Sequence, residues 1–455
     1  MNKEIIYNYS PYWLRNLWIS LFGYKLAKER YGKSYLEHFD LYKKIQFDSV
    51  EQIHERQNGM FREFVSFAAS NSPFYREFYK DCNLPGNISE ISNLPILTKE
   101  LLRKNDEKLR TGELGSDKIC IHTSGTTGTP LTYYFAKEDF QARIALLDSY
   151  KEWFGVKRGD KRASFTGRII KPANSRSKKF WQMNFMINQR LYSTYHLSKD
   201  NLKYYIEDLE KYQPVFMDGY PSAFLVLAKY FLAGNTKPGF RPKVIFTTAE
   251  TIKPYEKELI EKAFGCPLSD HHGSSEGAPV TAQCEYGKYH FLSFLGVMEV
   301  LDENNRPANA GRAVLTCFNT RFMPLIRYDI GDYVKLSDEK SCSCGRNYPI
   351  VESVLGREED YIVTTERGKV GRLDPIFKNS PSTIIKTQIV QNEIDKVDVL
   401  YVPDELKFKS EHLDVIKDQL LARIGSNTEV RFNKVMDIPV GKNGKFKAVI
   451  SNVGK

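Results

Sequence analysis

One short stretch decides how this chain is interpreted: Ile121-His122-Thr123-Ser124-Gly125-Thr126-Thr127-Gly128-Thr129-Pro130. Its glycines allow backbone N–H groups to approach an anion closely, and its hydroxyls add neutral donors for phosphate oxygens. The stretch, called the Thr/Gly loop below, therefore predicts a nucleotide-phosphate loop. It lacks the lysine of the GxxxxGK[ST] motif, which argues against an ordinary P-loop NTPase. A threonine-rich surface hairpin is the alternative, because Thr-Gly-Thr-Pro is also favourable turn chemistry.

The composition is that of an ordinary globular protein with a mild positive charge. The chain has 455 residues, 41% of them hydrophobic, which is enough for a large core and two or three domains. The net charge of +10 is spread along the chain, which slightly favours an anionic small ligand or a membrane surface and does not predict nucleic-acid binding. No apolar run approaches the roughly 18 residues that span a bilayer, and the start lacks a signal-peptide core, so we expect a cytoplasmic protein. Seven cysteines, an odd number, argue against a disulfide framework.

Residues 1–100 are predicted to be helical. Leu14, Leu17, Trp18 and Leu21 are spaced as one apolar stripe of a helix. Most such stripes pack against a core, and this is the interpretation we favour. A helix at a membrane surface is the alternative. It is suggested by nearby basic residues: Arg15, Lys25, Lys28 and Arg30.

Beyond residue 130 the chain alternates between short apolar strands, polar turns and helices. Strands are expected at 214–217, 244–246 and 267–269. The alternation predicts an α/β fold with a mostly parallel sheet, whose ligands bind at the carboxyl ends of the strands. Residues 291–350 contain shorter strands and more glycine turns, and they predict a β-rich subdomain.

The end of the chain is predicted to be a small α+β domain. Strands are expected at 384–390, 397–402 and 430–435. A helix between the last two is marked by one apolar face: Leu413, Ile416, Leu420 and Ile424. The predicted divisions are a helical region 1–100, a core 101–356 that includes the β-rich part, and a C-terminal domain 357–455.

Five further motifs follow the Thr/Gly loop in order. They are Thr247-Thr248-Ala249-Glu250, His272-Gly273-Ser274-Ser275-Glu276-Gly277, Arg327-Tyr328-Asp329-Ile330-Gly331-Asp332, Gly356-Arg357-Glu358-Glu359-Asp360 and Pro439-Val440-Gly441-Lys442-Asn443-Gly444-Lys445. With them the chain resembles the adenylate-forming enzymes, the superfamily of acyl-CoA ligases, luciferases and adenylation domains. Other motifs are similar to phenylacetate-CoA ligase-like proteins of the branch associated with capsular polysaccharide biosynthesis: Gly23-Tyr24, Arg30-Tyr31, Leu94-Pro95-Ile96-Leu97-Thr98-Lys99, Ser193-Thr194-Tyr195-His196-Leu197-Ser198 and Gly219-Tyr220-Pro221-Ser222.

The resemblance implies an ATP-dependent, AMP-forming carboxylate ligase. In such enzymes a carboxylate oxygen attacks the α-phosphorus of ATP, which gives an acyl-adenylate and releases pyrophosphate. The protein contributes positioning and electrostatic stabilisation and no nucleophile of its own. The substrate is expected to be a small carboxylic acid, and coenzyme A is expected to accept its acyl group. An amine acceptor, or a nucleotide-binding homologue without turnover, is the alternative.

The resemblance also assigns the contacts to ATP and Mg²⁺. The phosphates would be held by Thr123, Ser124, Gly125, Thr126, Thr127, Gly128 and Thr129. Glu276 would hold Mg²⁺, a hard cation suited to a carboxylate and phosphate oxygens. Asp332 would accept hydrogen bonds from both ribose hydroxyls, and Arg357 would add a donor from the other side. The adenine and α-phosphate would be contacted by Ala249, Glu250, His272, Gly273, Ser274 and Ser275. Each residue also has a structural explanation by itself, and their order and spacing favour the site.

Lys445, near the C-terminus, is predicted to be the catalytic cation. Its ammonium could reach the carboxylate and the α-phosphate together and stabilise the charge that develops between them. Lys442 lies in an earlier Gly-Lys pair, and the resemblance aligns the second pair with the family's lysine. It also implies that the C-terminal domain is mobile and rotates about a hinge that includes Glu359.

Three cysteines and one histidine predict a structural zinc site. Cys284 and His290 come from one segment, and Cys342 and Cys344 from another. A Cys₃His set is a closed, four-coordinate set for zinc. Thiols without a metal are the alternative, because cysteine is often a small core residue.

The acyl pocket is expected to be lined by aromatic and histidine side chains: Tyr133, Tyr195, His196 and Tyr220. Aromatic residues of this kind also pack in cores, which is the alternative interpretation.

Overall fold

The computed structural model describes most of the chain. The described residues are 7, 9–122, 131–172, 175, 177–198, 200–249, 252, 254–277, 280–354, 361–371, 373, 376, 383–403, 405–406, 408–436, 438 and 449–453. The chain divides into two compact units. Unit 1 comprises Met1–Cys120 with Tyr134–Arg357, and unit 2 comprises Ile121–Tyr133 with Glu358–Lys455.

Helices dominate the start of unit 1. The described helices are α1 (Tyr12–Arg30), α2 (Lys33–Ile45), α3 (Val50–Asn71), α4 (Pro73–Phe78), α5 (Lys99–Lys104), α6 (Asp106–Leu109), α7 (Lys137–Glu152), α8 (Leu202–Tyr212), α9 (Pro221–Ala233), α10 (Pro254–Phe264) and, in unit 2, α11 (Glu411–Ile424). Short 3-10 turns lie at Ile88–Asn93, Phe185–Ile187, Thr194–His196 and Ser293–Leu295. Local sequence sets their starts: Ser49 and Gln52 form a reciprocal capping box at α3, and the Thr98 hydroxyl accepts from the Leu101 N–H at α5.

The described strands fall into a parallel group, an antiparallel group and the strands of unit 2. They are β1 (Ile119–His122), β2 (Thr132–Phe135), β3 (Arg162–Thr166), β4 (Trp181–Asn184), β5 (Gln189–Ser193), β6 (Phe216–Gly219), β7 (Ile245–Thr248), β8 (Leu268–His272), β9 (Thr281–Gln283), β10 (Tyr289–Phe291), β11 (Gly296–Leu301), β12 (Ala310–Cys317), β13 (Leu325–Leu336), β14 (Ile350–Val354), β15 (Tyr361–Thr364), β16 (Gly368–Gly371), β17 (Ile384–Glu393), β18 (Lys396–Pro403), β19 (Glu429–Lys434) and β20 (Val449–Ser451).

One large sheet organises unit 1. Among the described residues it has twelve strands in the order β11-β12-β13-β14-β10-β9-β8-β7-β6-β3-β5-β4. Strands β5, β3, β6, β7 and β8 are parallel neighbours, so their carboxyl ends meet at one edge. The predicted parallel sheet is therefore confirmed, and the antiparallel strands β11 to β14 confirm a β-rich part.

Alternating side chains of the parallel strands build a core on each face of the sheet. Met217 and Ile245 belong to one buried cluster, which also contains residues of α8, α9 and α10. Phe216 and Phe246 belong to the other, together with residues of α2 and α7. A period of two along each strand produces this separation, as expected for a sheet covered on both sides.

Unit 2 has the predicted α+β composition. Its described sheet has four strands in the order β19-β18-β17-β20, with an antiparallel central hairpin and parallel outer strands. Ile416, Leu420 and Ile424 of α11 are fully buried in a cluster with residues of β17 and β18. The predicted α/β fold class with a small α+β domain is confirmed.

Helix α1 contradicts one prediction. Leu17, Trp18 and Leu21 are 48%, 44% and 51% exposed, so the stripe to which they belong does not pack in the core. The polar side of the helix is buried instead. Periodicity identified the stripe correctly, but it does not say which side of a helix faces the protein.

Candidate active site

The carboxyl edge of the parallel strands gathers several of the predicted residues. Strand β6 ends at Gly219, whose φ of 148° and close approach to the Phe165 carbonyl leave no room for a side chain. Strand β7 is followed by Ala249, which has a φ of 75°. Non-glycine residues seldom adopt a positive φ, and strained backbone of this kind clusters at active sites and ligand clamps.

Glu276 follows β8 and is held in a buried position. Its carboxylate is 7% exposed, and Oε1 lies 3.5 Å from Lys99 Nζ. The Tyr328 hydroxyl of β13 donates to the same oxygen at 3.4 Å. Among the described residues, both polar contacts of Glu276 go to Oε1. An oxygen donor of this kind fits Mg²⁺.

Lys99 reaches Glu276 because the preceding segment lies along β13. The Leu97 N–H donates to the Arg327 carbonyl at 2.9 Å, and the Asp329 N–H donates to the Leu97 carbonyl at 3.0 Å. Thr98 then caps α5, which places Lys99 at the first position of that helix. Lys99 belongs to one of the motifs of the resemblance, but it was not among the residues predicted for the site.

Arg327 also anchors the segment that precedes Lys99. Its guanidinium donates to both Glu299 oxygens at 2.9 and 2.7 Å and to the Leu94 carbonyl. The side chain is almost fully buried, and the residue has a φ of 48°. Several simultaneous hydrogen bonds hold a backbone that would otherwise be unfavourable.

His272 and Asp332 form a second contact between the same two segments. His272 Nε2 lies 3.1 Å from Asp332 Oδ2, and both side chains are mostly buried. His272 ends β8 and Asp332 lies on β13, although three strands separate β8 from β13 in the sheet. The sheet therefore curves strongly at this point. Two predicted nucleotide contacts, one to adenine and one to ribose, lie next to each other.

Buried polar groups support the end of β8 from behind. The Thr247 hydroxyl donates to Asp270 at 2.6 Å, and the Tyr289 hydroxyl donates to the other Asp270 oxygen at 2.8 Å. Burial raises the pKa of Asp270. Burial also lowers the pKa of His271 to about 4, so this imidazole is neutral at pH 7.

The predicted acyl-pocket residues do not all lie together. The Tyr195 hydroxyl donates to the Gly167 carbonyl at 2.6 Å, and a Cβ built on Gly167 would lie 2.8 Å from the Tyr220 hydroxyl. Tyr195 and Tyr220 thus flank one glycine after β3. His196 instead lies 2.8 Å from the Ser193 hydroxyl, within a different set of contacts. Tyr133 is fully buried and belongs to unit 2.

Several predicted residues lie outside the described part of the chain, and their roles stay predictions. They are Thr123, Ser124, Gly125, Thr126, Thr127, Gly128, Thr129, Glu250, Arg357, Glu359 and Lys445. Gly273, Ser274 and Ser275, which were predicted to contact the nucleotide, are described and lie in the loop that joins β8 to Glu276. This loop is fixed by Arg143 of α7, which donates to the Ser274 carbonyl.

The four predicted zinc ligands do come together. The ligand atoms of Cys284, His290, Cys342 and Cys344 all lie within 4.8 Å of one another. Cys284 Sγ and Cys342 Sγ are 3.7 Å apart, and Cys344 Sγ is 3.4 Å from His290 Nε2. Tetrahedral zinc with Zn–S of about 2.3 Å and Zn–N of about 2.0 Å requires separations of about 3.8 and 3.5 Å. Two of the six separations between ligand atoms therefore match those of a tetrahedral zinc site.

The surroundings orient the Cys/His cluster. His290 Nδ1 lies 3.4 Å from the Tyr348 carbonyl, which directs Nε2 toward the thiols. Gly345, with a φ of 74°, closes a turn by donating to the Cys342 carbonyl at 3.0 Å. Arg346 follows and pairs with both Glu285 oxygens at 3.0 and 2.9 Å. The cluster thus joins the β9–β10 turn to the loop before β14.

Comparison with known proteins identifies the family. Residues 362–452 match the CapK C-terminal domain model. Over 453 residues, 98% of this chain and 99% of the relative, the sequence is 35% identical to Protein CapK of Staphylococcus aureus. The chain belongs to the CapK family. This confirms the predicted resemblance to the capsular branch of the adenylate-forming proteins.

Solved structures show the same fold. A 2-hydroxyisobutyryl-CoA ligase in complex with 2-HIB-AMP and CoA in the thioesterification state superimposes with a TM-score of 0.60 at 18% identity, over 89% of this chain and 91% of that one. The postadenylation state in complex with R3-HIB-AMP gives a TM-score of 0.57 at 17% identity, over 90% and 91%. The adenylate-forming fold is thereby confirmed. Among the described residues, none of the helices combines the length and the apolar character needed to cross a membrane.

Proposed function

We propose that this protein activates a small carboxylic acid with ATP. The carboxylate oxygen bonds to the α-phosphorus, the bond to the bridging oxygen breaks, and pyrophosphate leaves with that oxygen. The observation that carries the proposal is the double contact between the β8 segment and β13. His272 contacts Asp332, and Glu276, four residues after His272, contacts Tyr328, four residues before Asp332. Four residues of strand span about 13 Å, which suits the ribose and phosphates of one nucleotide.

The charges along this line suit the proposed reaction. Asp332 offers a carboxylate to the ribose hydroxyls, and the neighbouring His272 limits its orientation. Lys99, with its side chain 19% exposed, supplies a cation beside Glu276. Glu276 would hold Mg²⁺, which would neutralise phosphate charge when bound. Lys445 is proposed as the cation of the adenylation step, and the Thr/Gly loop as the holder of the β- and γ-phosphates.

Coenzyme A is the acceptor that we propose for the second step. The 2-hydroxyisobutyryl-CoA ligase with the same fold binds an acyl-AMP and CoA. The thiol sulfur would attack the acyl carbon, forming a thioester and releasing AMP. The resemblance to the capsular branch leaves an amine acceptor as the second candidate, and it would give an amide by the same displacement. Tyr195 and Tyr220 are proposed to border the acyl group.

Pyrophosphate–ATP exchange across a panel of carboxylic acids tests the first step. We expect exchange that depends on one class of acid. Asp332→Asn and Glu276→Gln should each lower it about 100-fold, because each removes a charge that acts on the nucleotide. Glu352→Gln is the matched control, since Glu352 is half exposed and pairs with Lys335 on the same sheet. Exchange that is absent with every acid, or equal in all three variants, contradicts the proposal.

The acceptor is tested with the acid found in that panel. Purified protein, ATP and Mg²⁺ are incubated with coenzyme A or with a panel of amines, and the products are identified by mass spectrometry. An acyl-CoA product supports the CoA ligase. If an amide forms with an amine and no acyl-CoA forms, the acceptor is an amine. The proposed adenylation step then still stands.

We also propose that Cys284, His290, Cys342 and Cys344 hold a structural zinc ion. Its support is the agreement between the observed and tetrahedral separations, together with the contact of His290 Nδ1 with the Tyr348 carbonyl. About one equivalent of zinc is expected in the purified protein. Cys342→Ser should lose the metal and lower Tm, whereas Cys82→Ser, which removes a thiol outside the cluster, should do neither. A metal content below about half an equivalent, with Cys342→Ser as stable as the wild type, removes the proposal.

A further inference from the structure

Helix α1 buries its polar side and exposes its apolar side. Its buried residues are Arg15, Asn16, Ser20 and Gly23. The Asn16 side chain accepts a hydrogen bond from the Met183 N–H at 2.9 Å, and the Ser20 hydroxyl accepts one from the Phe185 N–H at 3.1 Å. These bonds satisfy backbone groups of the protein and fix the rotation of the helix. The opposite side is therefore held toward the outside by specific contacts.

The outward side is a continuous apolar face. Its members on the helix are Trp13 (66% exposed), Leu17 (48%), Trp18 (44%), Leu21 (51%), Phe22 (51%) and Tyr24 (46%). The adjoining turn adds Phe185 and Met186, which are 67% and 50% exposed. These eight residues are called the α1 face. Single exposed apolar residues are common, but a contiguous group of this size marks a surface that binds something.

Basic side chains lie at both ends of the α1 face. At one end Lys25 is 72% exposed and lies 3.6 Å from Glu29, and Lys28 Nζ lies 4.6 Å from the centre of the Tyr24 ring. At the other end Lys179 Nζ lies 4.5 Å from the centre of the Tyr12 ring. Long basic side chains can keep their stems on apolar surface while their charged groups reach lipid phosphates.

We propose that the α1 face docks this protein onto the surface of an anionic lipid bilayer. Tryptophan and tyrosine favour the headgroup region, leucine and phenylalanine the acyl boundary below it, and lysine the anionic phosphates. The helix would lie in the plane of the surface. A second copy of the chain fits less well, because a symmetric dimer on this face would bring the two sets of lysines together.

Sedimentation of the full-length protein with lipid vesicles tests the proposal. We expect binding to vesicles with about 30 mol% phosphatidylglycerol, weaker binding to phosphatidylcholine alone, and weakening as NaCl rises from about 0.1 to 0.5 M. The double variant Leu17→Gln/Leu21→Gln should lower the partition coefficient about tenfold or more. Leu84→Gln/Leu114→Gln is the matched control, because both leucines are 45% exposed elsewhere in unit 1.

Thermal unfolding of both double variants separates docking from folding. Equal Tm values with a loss of binding only in Leu17→Gln/Leu21→Gln support the proposal. If the Tm of that variant is lower, tryptophan fluorescence of the wild type is measured with vesicles that contain brominated anionic lipids. Quenching of the fluorescence supports docking, and the absence of quenching overturns the proposal. Equal binding of both variants overturns it as well. So does a concentration-dependent dimer, seen by analytical ultracentrifugation, that the Leu17/Leu21 substitutions abolish.

Discussion

Removing the charge of Lys99 should weaken the candidate active site far more than it weakens the fold. Lys99→Gln keeps a polar side chain, one atom shorter, and deletes the ammonium that lies 3.5 Å from Glu276. At that distance, with an effective dielectric constant of about 20, the attraction is about 5 kcal/mol, and the desolvation of both groups opposes it. We expect a net loss of about 1–3 kcal/mol in the free energy of unfolding.

The exchange activity of Lys99→Gln should fall more strongly than its stability. Lys99 is proposed to act on phosphate charge that grows as pyrophosphate leaves, and deleting one such group typically costs about 100-fold in kcat. The assay is acid-dependent pyrophosphate–ATP exchange at saturating ATP, with urea unfolding measured in parallel. Lys104→Gln is the control, since Lys104 lies on the same helix and pairs at 2.8 Å with the exposed Glu100.

Comparison of Lys99→Gln with Lys104→Gln can refute a catalytic role for Lys99. Lys104→Gln should exchange like the wild type. If Lys99→Gln loses stability by the expected amount and keeps exchange within about threefold, Lys99 serves only to neutralise Glu276 in the fold. Equal losses of exchange in both variants would also show that the position beside Glu276 is not what matters.

Three further variants test the structure by urea unfolding. Gly219→Ala should lower the free energy of unfolding by about 2–4 kcal/mol, because its Cβ would lie 2.0 Å from the Phe165 carbonyl oxygen at a φ of 148°. Gly59→Ala, in open space within α3, should leave the free energy of unfolding unchanged or raise it by about 0.5–1 kcal/mol. Arg327→Met should lose about 3–5 kcal/mol, since it leaves the carboxylate of Glu299 mostly buried without its partner, and a smaller loss would contradict the anchoring role. The pKa of His271 falls from 6.5 to about 4 on folding, so the unfolded chain binds a proton more readily and stability is lost as pH falls between these values. His271→Asn should remove up to about 3 kcal/mol of this pH dependence. An unchanged dependence of stability on pH would contradict this role of His271.

Local pattern was enough to predict one helix and three strands of unit 2, but not β15, β16 or β20. The helix expected from Leu413 to Ile424 is α11, and the strands expected at 384–390 and 397–402 are β17 and β18. Each has a clear period and lies between turn residues, so local preference and tertiary packing agree there.

Contacts between distant segments were harder to predict. Lys99 was quoted within a motif, but nothing near it in the sequence indicates that its partner is Glu276. The contact depends on the segment before α5 pairing with β13, which is a property of the fold. For α1, the apolar stripe was visible, but the polar residues Asn16 and Ser20 decided its orientation through backbone partners that only the structure supplies.

The curvature of the large sheet gives the Cys/His cluster a mechanical meaning. Strands β9, β10 and β14 separate β8 from β13, and on a flat sheet four steps of about 4.8 Å would hold them about 19 Å apart. His272 and Asp332 nevertheless lie 3.1 Å apart, so the sheet must bend across β9, β10 and β14 to bring them together. The Cys/His cluster connects the segments next to these strands, because it joins the turn between β9 and β10 to the loop before β14. If the cluster holds the proposed zinc ion, removing that ion should relax the bend, lengthen the His272–Asp332 contact and weaken the proposed ribose site.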